Sequence, residues 1–385
     1  MNNYPTDTFD YIIAGAGCAG LTLLYRMLLD PVLNNKKILV VDRIQKTGND
    51  RTWCFWEKEE GLFESIVHHQ WDELEFFSTY YSTTLQIAPY RYKMITGLDF
   101  YQHVYALAEK FKNVEFRHEH IIDFNVNERL AALKTENGTY SASYIFNSTK
   151  LFSPDKKTNK ASLLMHFKGW TIETDEDCFD DRKGTLMDFN VEQHGGTAFI
   201  YMLPTRKNEA LIEYTLFTPR TLTPEAYISG LNTYIHNNLK IKGFKLLREE
   251  SGVIPLMKEK YPVHYKQRII HIGSASGCVK ASSGYAFEFI QIQADKIIRR
   301  LNTGKSPVIR CSFTNNKFRW YDRTFLYVLA TGKMKGAELM SGIIKKVSPE
   351  KVLDFLSNKS NFTDDFNIMK SVPARIFLPA ALRQL

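Results

Sequence analysis

The sequence predicts an α/β fold with two sheets and a helical C-terminal part, because three stretches of the chain have different patterns. The chain up to Asp42 reads as strand, helix and strand around a glycine-rich turn. The middle of the chain contains alternating stretches rich in Thr, Tyr and Phe, which are typical of antiparallel strands. After Lys305 apolar and aromatic residues predict mostly helices. An apolar content of 44% over 385 residues is ordinary for a globular protein with a core.

The N-terminal segment predicts a β-α-β unit that binds a dinucleotide. Between the apolar run 11–14 and a segment with helical spacing lies Gly15-x-Gly17-x-x-Gly20. Glycine at these positions lets the backbone turn tightly and approach a pyrophosphate, which the helix N-terminus attracts. Asp42 ends the second strand about twenty residues later, where a carboxylate can bind ribose hydroxyls. The alternative interpretation is a tight β-α turn with a surface Asp.

The chain is then expected to leave this unit and return to it. Residues 72–95 predict antiparallel strands, and residues 100–111 predict a helix. Residues 197–204 and 209–217 flank a turn-like Thr205-Arg-Lys-Asn208 and predict a hairpin in a second sheet.

A late strand, residues 269–273, predicts the return to the first sheet. It leads into a second glycine-rich turn, Gly273-Ser274-Ala-Ser-Gly277, and then into a helix over 287–301. In large flavoproteins such a returning turn usually meets the flavin end of the cofactor, so FAD is favoured over NAD.

These patterns divide the chain into three parts. The expected boundaries are residues 1–75, 96–165 and 255–305 for a discontinuous, Rossmann-like FAD-binding domain, residues 76–95 and 166–254 for a substrate-binding domain, and residues 306–385 for the helical region.

Charge and composition restrict the partners and the compartment. The net charge of +8 comes without a nucleic-acid motif and fits solubility or attraction to an anionic membrane surface. No apolar run approaches the roughly 18 residues of a spanning helix, and the N-terminus does not read as a signal peptide. Histidines without ligand spacing predict no metal site, and scattered cysteines without a C-x-x-C pair indicate a reducing cytoplasm. These cysteines are Cys18, Cys54, Cys178, Cys278 and Cys311.

Several longer motifs resemble those of one enzyme family, the bacterial-type lycopene cyclases, and they stand in the same order over nearly the whole chain. The motifs are Asp50-Arg-Thr-Trp-Cys-Phe-Trp56, Gly169-Trp-Thr-Ile-Glu-Thr174, Leu186-Met-Asp-Phe189, Phe199-Ile-Tyr-Met-Leu-Pro204, Ala210-Leu-Ile-Glu-Tyr-Thr215 and Gly284-Tyr285.

The resemblance implies a fold like that of the aromatic hydroxylase and geranylgeranyl reductase flavoproteins. It also implies reduced FAD without net oxidation of the substrate, with NADPH or NADH only keeping the flavin reduced. The predicted contacts at the flavin end are Gly273, Ser274, Gly277 and Gly284. Ser274 stands where hydroxylases of this fold have Asp, which disfavours monooxygenase chemistry. Ala281 replaces a proline that many cyclases carry, and this change puts the rigidity of the loop in question.

Cyclisation of lycopene requires an acid, because the hydrocarbon ends can react only after protonation of a double bond. Glu213 occupies the position of the family's acidic motif, and burial between apolar neighbours would keep its proton near neutral pH. Asp188 is a second candidate, for which a structural role is favoured. Four aromatic residues have two possible roles, either cation–π contacts with the carbocation intermediates or ordinary core packing. These residues are Trp53, Phe55, Trp56 and Tyr285.

The resemblance thus predicts conversion of lycopene through a one-ring intermediate, γ-carotene, to β-carotene. The cysteine pattern, the very apolar substrate and the lack of a spanning helix predict a cytoplasmic enzyme that lies on the inner membrane. A flavin-dependent monooxygenase or isoprenoid reductase, and a carotenoid carrier without catalysis, are the alternatives. The sequence leaves open whether β- or ε-rings form, whether one or two rings form, the electron donor and the oligomeric state.

Overall fold

The computed structural model describes residues 7–149, 151, 163–256, 261–309 and 313–384. The predicted residue Cys311 and the first residues of the N-terminus lie outside these ranges. The helices are α1 Cys18–Leu29, α2 Gly97–Ala108, α3 Pro224–Thr233, α4 Phe287–Asn302, α5 Phe313–Ala330, α6 Gly336–Lys346, α7 Pro349–Leu356, α8 Phe362–Ser371 and α9 Ala374–Leu382.

The strands are β1 Thr8–Ala14, β2 Ile38–Asp42, β3 Thr52–Glu57, β4 His69–Trp71, β5 Glu73–Phe77, β6 Thr83–Gln86, β7 Arg91–Thr96, β8 Val114–His118, β9 Ile121–Val126, β10 Ala131–Thr135, β11 Thr139–Asn147, β12 Leu163–Glu173, β13 Lys183–Asp188, β14 Thr197–Arg206, β15 Glu209–Thr218, β16 Lys245–Leu256, β17 His264–Tyr265 and β18 Ile269–His271.

The N-terminal strands belong to an eight-stranded sheet with a parallel centre. Its path is β17-β18-β11-β1-β2-β8, and β9 and β10 add an antiparallel hairpin at β11. β18 pairs in parallel with β11, which pairs in parallel with β1, so the predicted return of the chain to the first sheet is confirmed. Fully buried apolar residues of β1 and β2 form the centre of this sheet, as a parallel sheet covered on both faces requires.

Helices α1, α2 and α4 cover one face of the parallel sheet. Ten of the twelve residues of α1 are buried, because the helix packs against α4 on one side and α2 on the other. The cluster between these helices and the sheet includes Ile13, Leu24, Phe100 and Ile297, each without exposed surface. This packing places the glycine-rich turns that precede α1 and α4 next to each other in one layer of the fold.

A second, seven-stranded sheet has the order β16-β12-β15-β14-β13-β5-β6. The predicted hairpin is confirmed as β14 and β15, which pair antiparallel from Thr197 opposite Phe217 to Arg206 opposite Glu209. The pairs are antiparallel except β13 with β5, which run parallel. β5 comes from the segment before α2 and is far from β13 along the chain.

The stretch 72–95 divides between two sheets. β5 and β6 form an antiparallel pair in the seven-stranded sheet, whereas β7 pairs with β3 and β4 in a separate three-stranded sheet. The seven-stranded sheet therefore takes strands from two distant segments of the chain. The three-part division into domains remains a proposal.

The C-terminal helices pack on one face of the seven-stranded sheet. Their buried residues, including Leu326, Leu339 and Leu353, belong to the same apolar cluster as Leu203 and Leu211 of the hairpin. The helical region expected after Lys305 is thus confirmed over the described residues. In the described ranges no helix is both long and apolar enough to cross a bilayer.

Candidate active site

One large cavity connects the two main sheets and the C-terminal helices. Its volume is about 1980 Å³, compared with roughly 300–1,000 Å³ for the usual pocket of a single small ligand. The cavity is lined by Gly17 of the first glycine-rich turn, by Ser274 and Gly277 of the second, and by Glu213 of β15. The space is therefore sufficient for a dinucleotide together with a second, long ligand.

The first glycine-rich turn has three glycines with different structural roles. Gly15 has φ +103°, and a Cβ there would lie 2.2 Å from Ser148 Oγ. A Cβ at Gly20 would lie 2.0 Å from the carbonyl oxygen of Gly15. A Cβ at Gly17 would meet nothing within 4 Å. Gly15 and Gly20 thus allow the turn itself, whereas Gly17 leaves open space at the cavity.

The N-terminus of α1 faces this open space with features suited to an anion. Gly17 is the N-cap residue, no side chain caps the helix, and its first turn contains no acidic residue. The positive end of the helix dipole is therefore not compensated by a carboxylate of its own turn. Asp42 Oδ2 accepts a hydrogen bond of 2.7 Å from the amide of Ala16 and fixes the turn on β2.

The second glycine-rich turn packs directly against the first. Gly273 has φ +60°, and a Cβ on it would lie 2.5 Å from the Cβ of Ala19 in α1. Gly277 also has a positive φ, +73°. Further along the same loop, a Cβ on Gly284 would lie 2.1 Å from Met165 Sδ of β12. The loop that follows β18 thus connects the nucleotide turn with the second sheet.

Glu213 lies on the cavity face of β15. Residues 212, 214 and 216 belong to the core under α3, whereas the alternate residues Leu211, Glu213, Thr215 and Phe217 line the cavity. This alternation is the period of two expected of a strand. Thr215 Oγ1 donates a hydrogen bond of 2.6 Å to Glu213 Oε1. The sequence therefore directs one carboxyl group from a central strand into the cavity.

The surroundings of Glu213 favour its neutral form. Burial, followed by the nearby negative charge of Glu250, raises the pKa of Glu213 to about 8, although the hydrogen bond from Thr215 acts in the opposite direction. Only 8% of the residue is exposed. At neutral pH most of these carboxyl groups hold a proton, as a general acid requires.

Comparison with known proteins identifies the family. The profile described as "Lycopene cyclase protein" matches residues 10–381. The chain belongs to the lycopene cyclase family. A lycopene beta-cyclase of Pantoea ananas is 24% identical over 347 residues, which are 83% of this chain and 82% of that protein.

Solved structures with low sequence identity share the fold. A geranylgeranyl bacteriochlorophyll reductase-like protein from Thermoplasma acidophilum is 13% identical, with a TM-score of 0.61 and 98% of each chain covered. A probable FAD-dependent monooxygenase from Pseudomonas aeruginosa is also 13% identical, with a TM-score of 0.58 over 85% of this chain and 98% of that chain. The expected flavoprotein fold is therefore confirmed.

The other predicted site residues of this family member differ in their access to the cavity. Gly284, Trp53 and Tyr285 line it together with Glu213, whereas Phe55 and Trp56 are buried in the core. Phe55 stacks on Phe287 at 4.4 Å between ring centroids. The two core residues therefore fit the packing interpretation.

Asp188 is directed away from the cavity. Its neighbours on β13, Met187 and Phe189, line the cavity, but Asp188 accepts a hydrogen bond of 2.9 Å from Tyr234 Oη on the opposite face of the sheet. The side chain of Asn190 donates a second bond of 2.8 Å. This arrangement agrees with the structural role favoured for Asp188.

Three tyrosine hydroxyls form a hydrogen-bonded chain near Glu213, which the sequence patterns do not predict. Tyr201 lies opposite Glu213 on β14, and its hydroxyl is 2.6 Å from that of Tyr92, which is 2.8 Å from that of Tyr285. Burial raises the pKa of each hydroxyl, so all three stay neutral. Tyr92 lies in the three-stranded sheet, Tyr201 in the seven-stranded sheet and Tyr285 in the loop after β18, so tertiary packing brings them together and no local pattern indicates it.

The described residues contain no cluster of three His, Cys, Asp or Glu side chains that could hold a metal ion.

Proposed function

We propose that the protein is a lycopene β-cyclase, which converts the ψ-ends of lycopene to β-rings through γ-carotene to β-carotene. The observation that carries this proposal is the buried carboxyl group of Glu213, which faces a large apolar cavity and whose pKa is raised to about 8 by burial. Membership of the lycopene cyclase family supports the substrate class, as does the similarity to the Pantoea ananas enzyme.

Glu213 is the general acid in this proposal. Its proton adds to a terminal carbon–carbon double bond, and the resulting carbocation closes the ring by attack of the neighbouring double bond. Loss of a ring proton then gives the product, so that the molecular formula does not change. The carboxylate left on Glu213 stabilises the cation in a site that excludes water. Apolar side chains such as Phe199 and Phe217, which stack at 6.2 Å, protect the cation from hydration.

FAD fits the residues around the two glycine-rich turns. The open space at Gly17 and the uncompensated N-terminus of α1 suit a pyrophosphate. We infer that Gly15, Gly17 and Gly20 hold the pyrophosphate, that Asp42 binds the ribose, and that the flavin end lies at Gly273, Ser274, Gly277 and Gly284. In its reduced form, maintained by NADPH or NADH, FAD would supply negative charge near the cation without net electron transfer.

An exposed apolar surface supports the proposed association with the cytoplasmic membrane. Helices α8 and α9 expose five large apolar side chains, of which Phe362 and Leu382 are each 70% exposed. Two of the five, Met369 and Leu378, also line the cavity. These five residues, called here the α8–α9 face, are Phe362, Phe366, Met369, Leu378 and Leu382.

The charges around the α8–α9 face suit an anionic lipid surface. Lys370, Arg375 and Arg383 are exposed there. The acidic residues of α8, Asp364 and Asp365, are buried and paired with Lys351 and Lys317. Apolar insertion combined with basic contacts is the usual basis of peripheral membrane binding. A very apolar substrate could then enter the cavity directly from the bilayer.

Product analysis tests the proposed function. Purified protein, loaded with FAD, is incubated with lycopene in liposomes and a nicotinamide reductant, and the pigments are separated by chromatography. We expect γ-carotene followed by β-carotene, with far less than one reductant oxidised per ring after correction for oxygen uptake. Stoichiometric oxidation with hydroxylated or hydrogenated products would instead establish the redox alternative. Bound, unchanged lycopene would indicate a carrier.

A further inference from the structure

The residue that faces Glu213 across the second sheet is another acid. β12 lies between β15 and β16, and the strand register aligns Glu213, Gly169 and Glu250 in one row. Tyr201 extends the row on β14. Glu213 and Glu250 both line the cavity. The two carboxyl groups therefore share one face of the sheet, separated only by a glycine.

Gly169 allows the two side chains to approach each other. A Cβ on Gly169 would lie 3.2 Å from Glu250 Cγ and 3.5 Å from Glu213 Cγ. Both acids therefore contact the position that a side chain of the middle strand would occupy. Any larger residue at Gly169 would fill the space between them.

The surroundings of Glu250 differ from those of Glu213, because they contain groups that stabilise a negative charge. Thr52 Oγ1 donates a hydrogen bond of 2.7 Å to Glu250 Oε2, and the Arg248 guanidinium lies 3.4 Å from the same oxygen. Arg248 also donates a 2.9 Å hydrogen bond to Thr52. Glu213, by contrast, accepts a hydrogen bond from Thr215 and has no cationic partner among the described residues.

We propose that Glu250 is a positioning residue of the acid catalyst: it remains ionised and, acting across Gly169, keeps the proton on Glu213. The inference rests on the proposed function. Two carboxyl groups this close resist ionising together, and the one with donors and a cation keeps the charge. Once Glu213 has given up its proton, the charge of Glu250 adds to the negative potential that stabilises the carbocation.

Other groups near the pair do not replace Glu250. Burial is the largest influence on Glu250 and raises the pKa of its carboxyl as well. The hydrogen bond from Thr52 and the positive charges of Arg248 and Arg51 act in the opposite direction and favour the ionised form, whereas the charge of Asp50 opposes it. The hydroxyls of Tyr201 and Tyr285 and the thiol of Cys54 face the pair from β14, the loop after β18 and β3, and burial keeps all three neutral by raising their pKa values. Glu250 is thus the nearby anion that raises the pKa of Glu213.

The test compares the pH dependence of cyclisation in flavin-loaded wild-type protein and the Glu250→Gln variant. Ring formation should decline at high pH as Glu213 loses its proton. Removal of the neighbouring charge lowers the pKa of Glu213, so this alkaline limb should move to lower pH by about one unit. The matched control is Glu249→Gln, which removes a carboxylate from the opposite face of β16, where Glu249 pairs with Lys168. Its alkaline limb should not move.

A second measurement separates failure of this inference from failure of the proposed function. The stability change caused by Glu213→Gln is measured against pH in two backgrounds, the wild type and the Glu250→Gln variant, as a double-mutant cycle. The pH at which that change reaches its full size is set by the pKa of Glu213 in the folded protein and should move down by about one unit in the Glu250→Gln background. This result is expected whether or not lycopene is cyclised.

If Glu250→Gln does not fold, Thr52→Val takes its place, because it removes the hydrogen bond to Glu250 while keeping the shape of the side chain. It should move the alkaline limb of ring formation and the pH dependence of the stability change to lower pH, by a smaller amount than Glu250→Gln. Unchanged curves in the variant that folds, or an equal movement in Glu249→Gln, would overturn the proposal.

Discussion

At the scale of single residues, the environment of Glu213 decides what the site can do. The sequence alone indicated this acid through the family motif, but its carboxyl neighbour could not be predicted. Glu250 follows Glu213 after 36 intervening residues, and only the pairing of β12 with both β15 and β16 brings the two acids together. Asp188 is likewise held away from the cavity by its bonds with Tyr234 and Asn190, beyond an irregularity in the register of β13 that no local pattern indicates.

The raised pKa of Glu213 predicts how stability changes with pH. Its pKa is about 8 in the folded protein, against 4.5 ordinarily. The stability contributed by the neutral carboxyl is therefore complete below about pH 4.5 and is lost as pH rises through about 8.

Glu213→Gln should consequently gain stability relative to wild type between pH 5 and pH 9, by up to about 4 kcal/mol. Denaturant unfolding of both proteins at the two pH values measures this gain. A stability difference between the two proteins that stays constant from pH 5 to pH 9 would show that Glu213 is ionised in the folded protein throughout this range.

At the scale of elements, the sequence predicts the units that form from neighbouring residues, but it does not predict pairings between distant strands. The β14–β15 hairpin and the β-α-β unit follow from residues close together in the chain. The three-stranded sheet joins β3 with β7 across more than thirty residues, and the parallel β5–β13 pair joins segments about a hundred residues apart. Such pairings depend on tertiary packing, which the sequence pattern does not encode locally.

The first glycine-rich turn offers a test of cofactor binding that does not disturb the fold. Gly17 has an extended backbone, and a side chain there would project into open space. Gly17→Val should therefore fold but fill the proposed pyrophosphate position, with a loss of FAD affinity of roughly tenfold or more, equal to about 1.4 kcal/mol.

The matched control is Gly48→Val, because a Cβ on Gly48 also meets nothing within 4 Å but the residue does not line the cavity. Flavin fluorescence titration measures both variants. Equal FAD affinities for Gly17→Val and wild type would remove the pyrophosphate from this turn.

At the scale of the whole molecule, the cavity is built by three parts of the chain. The parallel sheet contributes the two glycine-rich turns, the seven-stranded sheet contributes the acids, and the C-terminal helices close the apolar end. The sequence predicted each part, but not that the α8–α9 face would meet the cavity. Long-range packing of α5 to α9 on the second sheet produces that connection.

The α8–α9 face predicts which surface contacts the membrane. Phe362→Glu combined with Leu378→Glu should reduce binding to anionic liposomes by roughly tenfold or more, because two large apolar side chains no longer leave water on binding. The control is Leu29→Glu with Val32→Glu, a pair of exposed apolar residues at the end of α1. Co-sedimentation measures both proteins. Equal loss of binding in the two variants would argue against a specific face.

The most direct measurement of the central claim is ring formation by Glu213→Gln. The variant keeps the size of the side chain but lacks the acidic proton, so the rate of lycopene cyclisation should fall by roughly 10²–10⁴-fold, as for loss of a general acid. FAD content and thermal stability, determined on the same preparation, should remain at wild-type level or above. A stable, flavin-loaded Glu213→Gln protein that cyclises lycopene at nearly the wild-type rate would contradict the account.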